Sequence, residues 1–278
     1  MITINNKPVD IIDFPDNTKL MRYLVASEDT QIEWYYDHDG ELFQLQCLVE
    51  HLRNHKVEHI RLYMPYLPNA RMDRVKNDDE VFTLKTFAKI INNLHFDRVT
   101  VLDPHSNVSN ALIDRIEAVP PTQYIMKTIE NLAACGIRDI MLFFPDEGAM
   151  KRYLPIAKQL GLPYVFGIKT RDWKTGKIKG VEIAGQTEEL TDKYVLIVDD
   201  ICSKGGTFYH SAKALRKMEP SVKGIYLYVS HLEHIVHEGE MLQSGEINHI
   251  YTTDSIYRRE GDDRITVYRN ELMIETNR

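Results

Sequence analysis

The feature that most constrains this chain is a regular alternation. Short apolar, β-rich runs take turns with stretches of helical apolar spacing, and nearly every apolar run ends in polar residues. HIRLYMPYL (59–67) reads as a buried strand running into a loop, and FTLKTFAKIINNL (82–94) carries helical spacing. DRVTVLD (97–103) is a strand ending in Asp, and YIMKTIENLAACG (124–136) is a helix stopped by Gly. DIMLFFPDEGA (139–149) is a strand ending in an acidic turn, followed by the helix MKRYLPIAKQLG (150–161). YVFGIK (164–169) and YVLIVDD (194–200) are strands, FYHSAKALRKME (208–219) is a helix, and VKGIYLYVSH (222–231) and HIYTTDSI (249–256) are strands again. Such text implies βαβ units and parallel sheets, so the expected class is α/β. In open parallel sheets, ligands bind beyond the carboxyl ends of the strands. The polar signals fall there: Asp103 with His105, Asp146, Lys169, and Asp199 with Asp200. Packing alone gives no reason for this placement. The pattern occurs before about residue 120 and again after it. Pro120-Pro121 marks the expected boundary between two similar domains, 1–120 and 121–278.

Composition enters as a set of exclusions. A formal net charge of -7 over 278 residues lacks the basic footprint of a nucleic-acid binder, although a few local cations suffice for a phosphate ligand. The apolar runs are too short for a membrane span, and MITINNKPVDIIDF has no basic-then-apolar leader pattern. Three widely spaced cysteines (Cys47, Cys135, Cys202) suit a reducing compartment without a disulfide framework. The expectation is a cytoplasmic protein with no nucleic-acid or membrane partner.

One loop carries the sharpest chemistry. In VLIVDDICSKGGTF (195–208) an apolar strand runs into Asp199-Asp200, and Gly205-Gly206-Thr207 leads into a helix. A Gly-rich strand-to-helix loop presents backbone N–H groups to an anion at the helix N-terminus. The hydroxyls of Ser203 and Thr207 add donors, and Lys204 adds charge. The carboxylates of Asp199 and Asp200 cannot hold a phosphate, but they can accept hydrogen bonds from sugar hydroxyls or help bind Mg²⁺. The loop therefore fits a ligand with both a phosphate and a sugar.

This loop resembles the binding signature for 5-phosphoribosyl 1-pyrophosphate (PRPP) shared by phosphoribosyltransferases and ribose-phosphate pyrophosphokinases, the PRPP synthetases. Other segments favour the second family, in its own order along nearly the whole chain. FPDNT (14–18) resembles its FSDGE segment and YMPYLPNARMDRV (63–75) its PYxxYARQDR segment. VLDPHSN (101–107) resembles its VDLHA segment, and FPDEGAMKR (144–152) its SPDxGGxxR pyrophosphate loop. GIKTR (167–171) is similar to the DKRR start of its catalytic loop, and TTDSI (252–256) to its VTDTI strand end. A simple phosphoribosyltransferase has one such domain and leaves residues 1–120 unexplained.

The resemblance implies two tandem phosphoribosyltransferase-like domains, each a mostly parallel sheet flanked by helices. It implies an ATP-dependent pyrophosphokinase that converts ribose 5-phosphate to PRPP with release of AMP. Arg71, Asp73 and His105 would contact ATP, with Phe14 and Asp16 reaching adenine from a neighbouring subunit. His105 and Asp146 would sit by Mg²⁺. Asp146, Glu147, Gly148 and Ala149 would line the pyrophosphate site. Lys169 and Arg171, with His105, would serve catalysis from a mobile Gly- and Lys-rich loop. Asp199, Asp200, Cys202, Ser203, Lys204, Gly205, Gly206 and Thr207 would hold the ribose phosphate. The family also implies a homo-oligomer, a dimer or hexamer of dimers.

Departures from the family pattern bear on the acceptor. Met72 stands in place of Gln, Asn17 of Gly, Thr18 of Glu and Ala149 of the second Gly of the pyrophosphate loop. Ser203 replaces an acidic residue and Lys204 a Thr, so the loop loses a negative charge and gains a positive one. That change suits a more anionic or larger acceptor, such as ADP-ribose, with unchanged chemistry and ADP-ribose 1-pyrophosphate as product. A non-catalytic regulatory relative is a third reading, and retention of His105, Asp146, Lys169 and Arg171 argues against it. Two lesser signals have plainer readings. His231, His234 and His237 are spaced as on a helix but read as a solvated or loop-facing cluster, and Cys202 reads as a small packing residue before a reactive thiol.

Overall fold

The computed structural model describes residues 1–171, 178–259 and 261–270, without the side chains of 169–171 and 178–181. The chain divides into two compact units, Met1–Pro120 and Pro121–Arg278.

The first unit opens with antiparallel strands. β1 (Ile2–Ile4) and β2 (Lys7–Pro8) turn through Asn5 and Asn6, at φ 49° and 61°. Two-residue hairpins of this hand need residues that tolerate left-handed backbone, as Asn does. β3 (Asp10–Asp13) and β4 (Lys19–Arg22) form a separate two-stranded ribbon. Then come β5 (Asp29–Trp34), α1 (Gly40–Asn54), β6 (His59–Met64), α2 (Thr83–Asn93), β7 (Arg98–Leu102), α3 (Val108–Leu112) and β8 (Ile116–Val119). The sheet order is β2-β1-β5-β6-β7-β8, with β5 to β8 parallel and β1 antiparallel to β5. α2 buries Leu84, Phe87, Ala88 and Ile91, the single stripe its spacing predicts.

The second unit is more strictly α/β. It contains α4 (Thr122–Ala134), β9 (Ile140–Phe144), α5 (Glu147–Leu160), β10 (Tyr164–Arg171), β11 (Ile178–Gly185) and β12 (Tyr194–Cys202). α6 (Gly206–Met218), β13 (Gly224–Leu232), a 3-10 turn at His234–Glu238, α7 (Glu240–Ser244), β14 (His249–Thr253) and β15 (Ile265–Tyr268) follow. The sheet order is β11-β10-β9-β12-β13-β14-β15, parallel throughout except for β11. Val195, Leu196, Ile197 and Val198 of β12 are fully buried, as a central parallel strand covered on both faces requires. α6 buries Phe208, Ser211, Ala212 and Leu215 at ideal helical spacing.

From β9 the chain builds outward to β10 and β11 on one side. It then returns to lay down β12 to β15 on the other. The order reverses between β9 and β12, and such a switch point opens a crevice beyond the strand ends.

One expectation changes, and another falls largely outside the described residues. GIKTRDWKTGKIKG enters an edge ribbon: Lys169 pairs with Val181 and Arg171 with Ile178 across β10 and β11, with a register shift between Thr170 and Arg171. Residues 172–177 and the side chains of Lys169 and Arg171 lie outside the described residues. His231 is neither helical nor solvated. It is buried near the end of β13, with Nδ1 2.9 Å from the Ser255 hydroxyl. The β-branched and aromatic run before it continues the strand through Leu232, so His231 lies on a strand while His234 and His237 lie in the 3-10 turn that follows, and no single helix carries all three. Among the described residues no helix is long and apolar enough to cross a membrane.

Candidate active site

In the second unit the last parallel pair between β9 and β12 joins Phe143 to Ile197. The turn after β9 and the acidic end of β12 are therefore neighbours at the switch point. Asp146 begins the turn into α5. Its backbone is extended and its Oδ1 accepts the Ala149 N–H at 3.0 Å, an N-cap. Ala149, expected to line the pyrophosphate site, turns its side chain into the core, so only its backbone belongs to the turn. Glu147 is exposed and pairs with Lys151 at 2.8 Å. Gly148 follows the capping carboxylate so closely that a Cβ there would lie 3.2 Å from Asp146 Oδ1.

Asp199 and Asp200 stand side by side on β12. Asp200 is 2% exposed, and the Asp200 N–H donates to Asp199 Oδ1 at 3.0 Å. Burial, then the neighbouring Asp200 charge, push the Asp199 carboxyl well above the usual carboxylate range, while the Arg152 charge opposes them. Arg152 on α5 was not among the expected site residues. Its Nη2 lies 2.7 Å from Asp200 Oδ1 and 3.2 Å from Asp199 Oδ1. The only trace of it in the sequence is the last letter of FPDEGAMKR.

The loop beyond is held from outside. Ser203 donates to the Glu233 carboxylate, and the Glu233 N–H donates to the Cys202 carbonyl at 2.8 Å. Lys204 Nζ lies 3.3 Å from Glu238. Gly239 packs on the Lys204 carbonyl so tightly that a Cβ there would sit 1.9 Å from the oxygen. Gly205 has φ +79°, and a Cβ there would lie 2.6 Å from Met241 Sδ. Gly206 starts α6, with open space where a Cβ would be, and Thr207 is the next residue of that first turn. The Cys202 side chain, counted among the ribose-phosphate residues, is instead fully buried in the core; burial, then Asp199, push its thiol far up. It is a packing residue, inert as a nucleophile. The charge change at 203 and 204 is likewise offset: each substituted side chain meets a carboxylate of the 233–238 segment. The sequence gives no sign of this, because the carboxylates come from beyond another strand.

In the first unit, Arg71 and Asp73 follow β6 and His105 follows β7. β6 and β7 are adjacent, with Met64 paired to Val101, so both segments leave the same edge of the sheet. Arg71 is exposed, and Asp73 is mostly covered. Asp103, two residues before His105, is buried at φ +41°, a backbone uncommon for a non-glycine residue. Phe14 and Asp16 sit at the tip of the β3–β4 ribbon, where Asn17 takes φ +66° and Phe14 is 46% exposed. Asp16 Oδ1 accepts the Thr18 hydroxyl at 2.7 Å and the Thr18 N–H at 3.0 Å, which lowers its pKa.

A Mg²⁺ ion prefers oxygen ligands and is usually held by one or two carboxylates together with substrate phosphates and water. Among the described residues no three His, Cys, Asp or Glu side chains are arranged to hold a metal ion by themselves. Asp146 offers a carboxylate of the right kind. His105 offers nitrogen, a poorer match to a hard cation.

Comparison with known proteins places the chain in a family. A model of the phosphoribosyl transferase domain matches residues 117–241, which include the turn after β9 and the β12–α6 loop. Over 213 residues the chain is 30% identical to the ribose-phosphate pyrophosphokinase of Pyrococcus furiosus, covering 76% of this chain and 73% of that one. The enzyme of the same name from Pyrococcus abyssi is 28% identical over 226 residues, covering 80% and 75%. In fold the chain is similar to the crystal structure of phosphoribosylpyrophosphate synthetase from Mycobacterium smegmatis. The TM-score is 0.78 at 18% identity, over 97% of this chain and 88% of that one. The chain belongs to the ribose-phosphate pyrophosphokinase family and is an enzyme of that kind.

Proposed function

We propose that the protein transfers the pyrophosphoryl group of ATP to the C1 hydroxyl of ribose 5-phosphate, giving PRPP and AMP. The observation that carries this reading is the end of β12: an acid pair, Asp200 buried and Asp199 partly covered, followed by a glycine turn and the N-terminus of a thirteen-residue helix. The N–H groups of Gly206 and Thr207 and the Thr207 hydroxyl receive the 5-phosphate. Asp199 and Asp200 accept the 2- and 3-hydroxyls of the sugar. The C1 oxygen attacks the β-phosphorus, the bond from that phosphorus to the α-β bridging oxygen breaks, and AMP leaves with that oxygen. The proton of the C1 hydroxyl passes to solvent or to a nearby base.

Such transfer depends chiefly on positioning and charge neutralisation. Mg²⁺, when bound with the nucleotide, would screen the phosphate charge, and Asp146 is the carboxylate best suited to hold it. The turn at Asp146–Ala149 receives the transferred pyrophosphate. Lys169 and Arg171 on the β10–β11 ribbon supply positive charge to the bridging oxygens. Arg71, Asp73 and His105 bind ATP. The ribbon tip with Phe14 and Asp16 serves the nucleotide site of a neighbouring subunit in a homo-oligomer.

A second reading keeps the chemistry and enlarges the acceptor to ADP-ribose. What favours it is the absence of any atom within 4 Å of where a Gly206 Cβ would be, an opening beside the turn that receives the phosphate. The charge change at Ser203 and Lys204 supports it less, since Glu233 and Glu238 take up both side chains.

Product identification by ³¹P NMR and mass spectrometry separates these readings. The protein is given MgATP with ribose 5-phosphate or with ADP-ribose. AMP with PRPP is expected. AMP with pyrophosphorylated ADP-ribose and little PRPP transfers the assignment to the larger acceptor. No AMP with either acceptor overturns both.

A further inference from the structure

We propose that Arg152 is a positioning residue for the acceptor, holding the Asp199 and Asp200 carboxylates in place and tying them to the turn that receives pyrophosphate. The proposal rests on the reading of that acid pair as the site for sugar hydroxyls.

Two adjacent carboxylates at a buried strand end repel one another. Left alone, they share a proton or splay apart. Either outcome spoils a pair of acceptors meant for two neighbouring hydroxyls. Arg152 Nη2 stands between them, 2.7 Å from one Oδ1 and 3.2 Å from the other. One guanidinium thus draws both Oδ1 atoms toward a single point. Asp146, at the start of the same helix, adds a third negative charge that bears on Asp199, and the Arg152 charge opposes it. A guanidinium is always charged and has a planar, preorganised set of donors, which an ammonium lacks. Its Cζ lies 5.2 Å from the centre of the Tyr153 ring, and the Tyr153 side chain is buried. That ring gives the guanidinium a second, fixed support.

The covalent route matters as much as the contact. Arg152 lies on the same helix that Asp146 caps. A rigid helix therefore connects the pyrophosphate turn to the acid pair, which belongs to another strand. Arg152 makes the two halves of the second unit's crevice into one piece.

The test compares Arg152→Gln, Arg152→Lys and Asp200→Asn, with ribose 5-phosphate and MgATP varied separately. Arg152→Gln is expected to raise the acceptor KM by about 10-fold, with little change for MgATP. Arg152→Lys keeps the charge and loses the planar guanidinium with its stacking on Tyr153, and is expected to fall between Arg152→Gln and the wild type. Added guanidinium ion is expected to restore part of the Arg152→Gln loss, which a purely structural role would not allow. If Arg152→Gln does not fold, Arg152→Lys decides: a wild-type acceptor KM there overturns the proposal. An unchanged acceptor KM in folded Arg152→Gln, beside a raised one in Asp200→Asn, overturns the role of Arg152 and leaves the acid-pair reading standing. An unchanged acceptor KM in Asp200→Asn removes that reading, and the proposal with it.

Discussion

Each unit sends polar residues off the carboxyl ends of its own parallel strands, but the loops differ in what they can grip. In the first unit β7 runs through Asp103 and His105 into α3, a helix of five residues. In the second β12 runs through Asp199 and Asp200 into a glycine at positive φ and then α6, of thirteen residues. Partial charge at a helix end grows from aligned peptide dipoles and unsatisfied N–H groups, so a long helix entered through a glycine turn is the better anion site. A shared architecture places both loops. The turn residue and the length of the following helix decide which one holds phosphate.

The comparison can be broken most forcefully at Gly239, which lies outside the phosphate loop. Its φ is ordinary, and only space restricts it, because a Cβ would meet the Lys204 carbonyl at 1.9 Å. Gly239→Ala is expected to displace the loop backbone and cut kcat/KM for the acceptor by about 100-fold, the scale of a 1 Å misplacement. Acceptor kinetics close to wild type would mean that the 233–241 segment does not brace the loop.

Asp199→Asn sharpens the comparison by separating stability from function. The folded carboxyl titrates above its unfolded value, so its contribution to stability is full below the unfolded pKa and is lost as pH rises through the folded one. At neutral pH the ligand-free protein bears that cost. Asp199→Asn is therefore expected to raise Tm at neutral pH while weakening the acceptor, with Arg152 still paired to Asp200. The gain in Tm should shrink as pH falls toward the carboxylate range. A Tm that drops at neutral pH would show the Asp199 charge to be stabilising instead.

The smallest effect belongs to the first unit. Asn17 sits at φ +66° in the ribbon tip, so Asn17→Ala is expected to cost roughly 1 kcal/mol in thermal unfolding, and Asn17→Gly about nothing. Neither should move the acceptor KM. A raised acceptor KM in Asn17→Gly would show that the ribbon tip and the acceptor site are not separate in function.

Much of this could be read in the sequence, for identifiable reasons. The strand β12 and helix α6 declared themselves through four fully buried apolar residues and an i, i+3, i+4, i+7 stripe. The Gly-Gly-Thr turn and acid pair were legible because each residue type has a local task. The antiparallel ribbons of the first unit and the β11 edge were not, since short strands such as KP or DIID carry too little pattern. The braces on the loop were also hidden. Glu233, Glu238 and Met241 reach it only because β13 returns the chain to the same edge, and no local spacing records that return. Arg152 was in view within FPDEGAMKR, yet its partners lie forty-seven and forty-eight residues away.

The most direct test of the acid pair's role changes the ligand as well as the protein. Ribose 5-phosphate and 2-deoxyribose 5-phosphate are compared as acceptors in the wild type and in Asp200→Asn, using kcat/KM for each. The wild type should prefer the 2-hydroxyl by about 10-fold or more, as a hydrogen bond to a charged group provides, and Asp200→Asn should lose most of that preference. An undiminished preference in Asp200→Asn would mean that the sugar hydroxyls are read elsewhere.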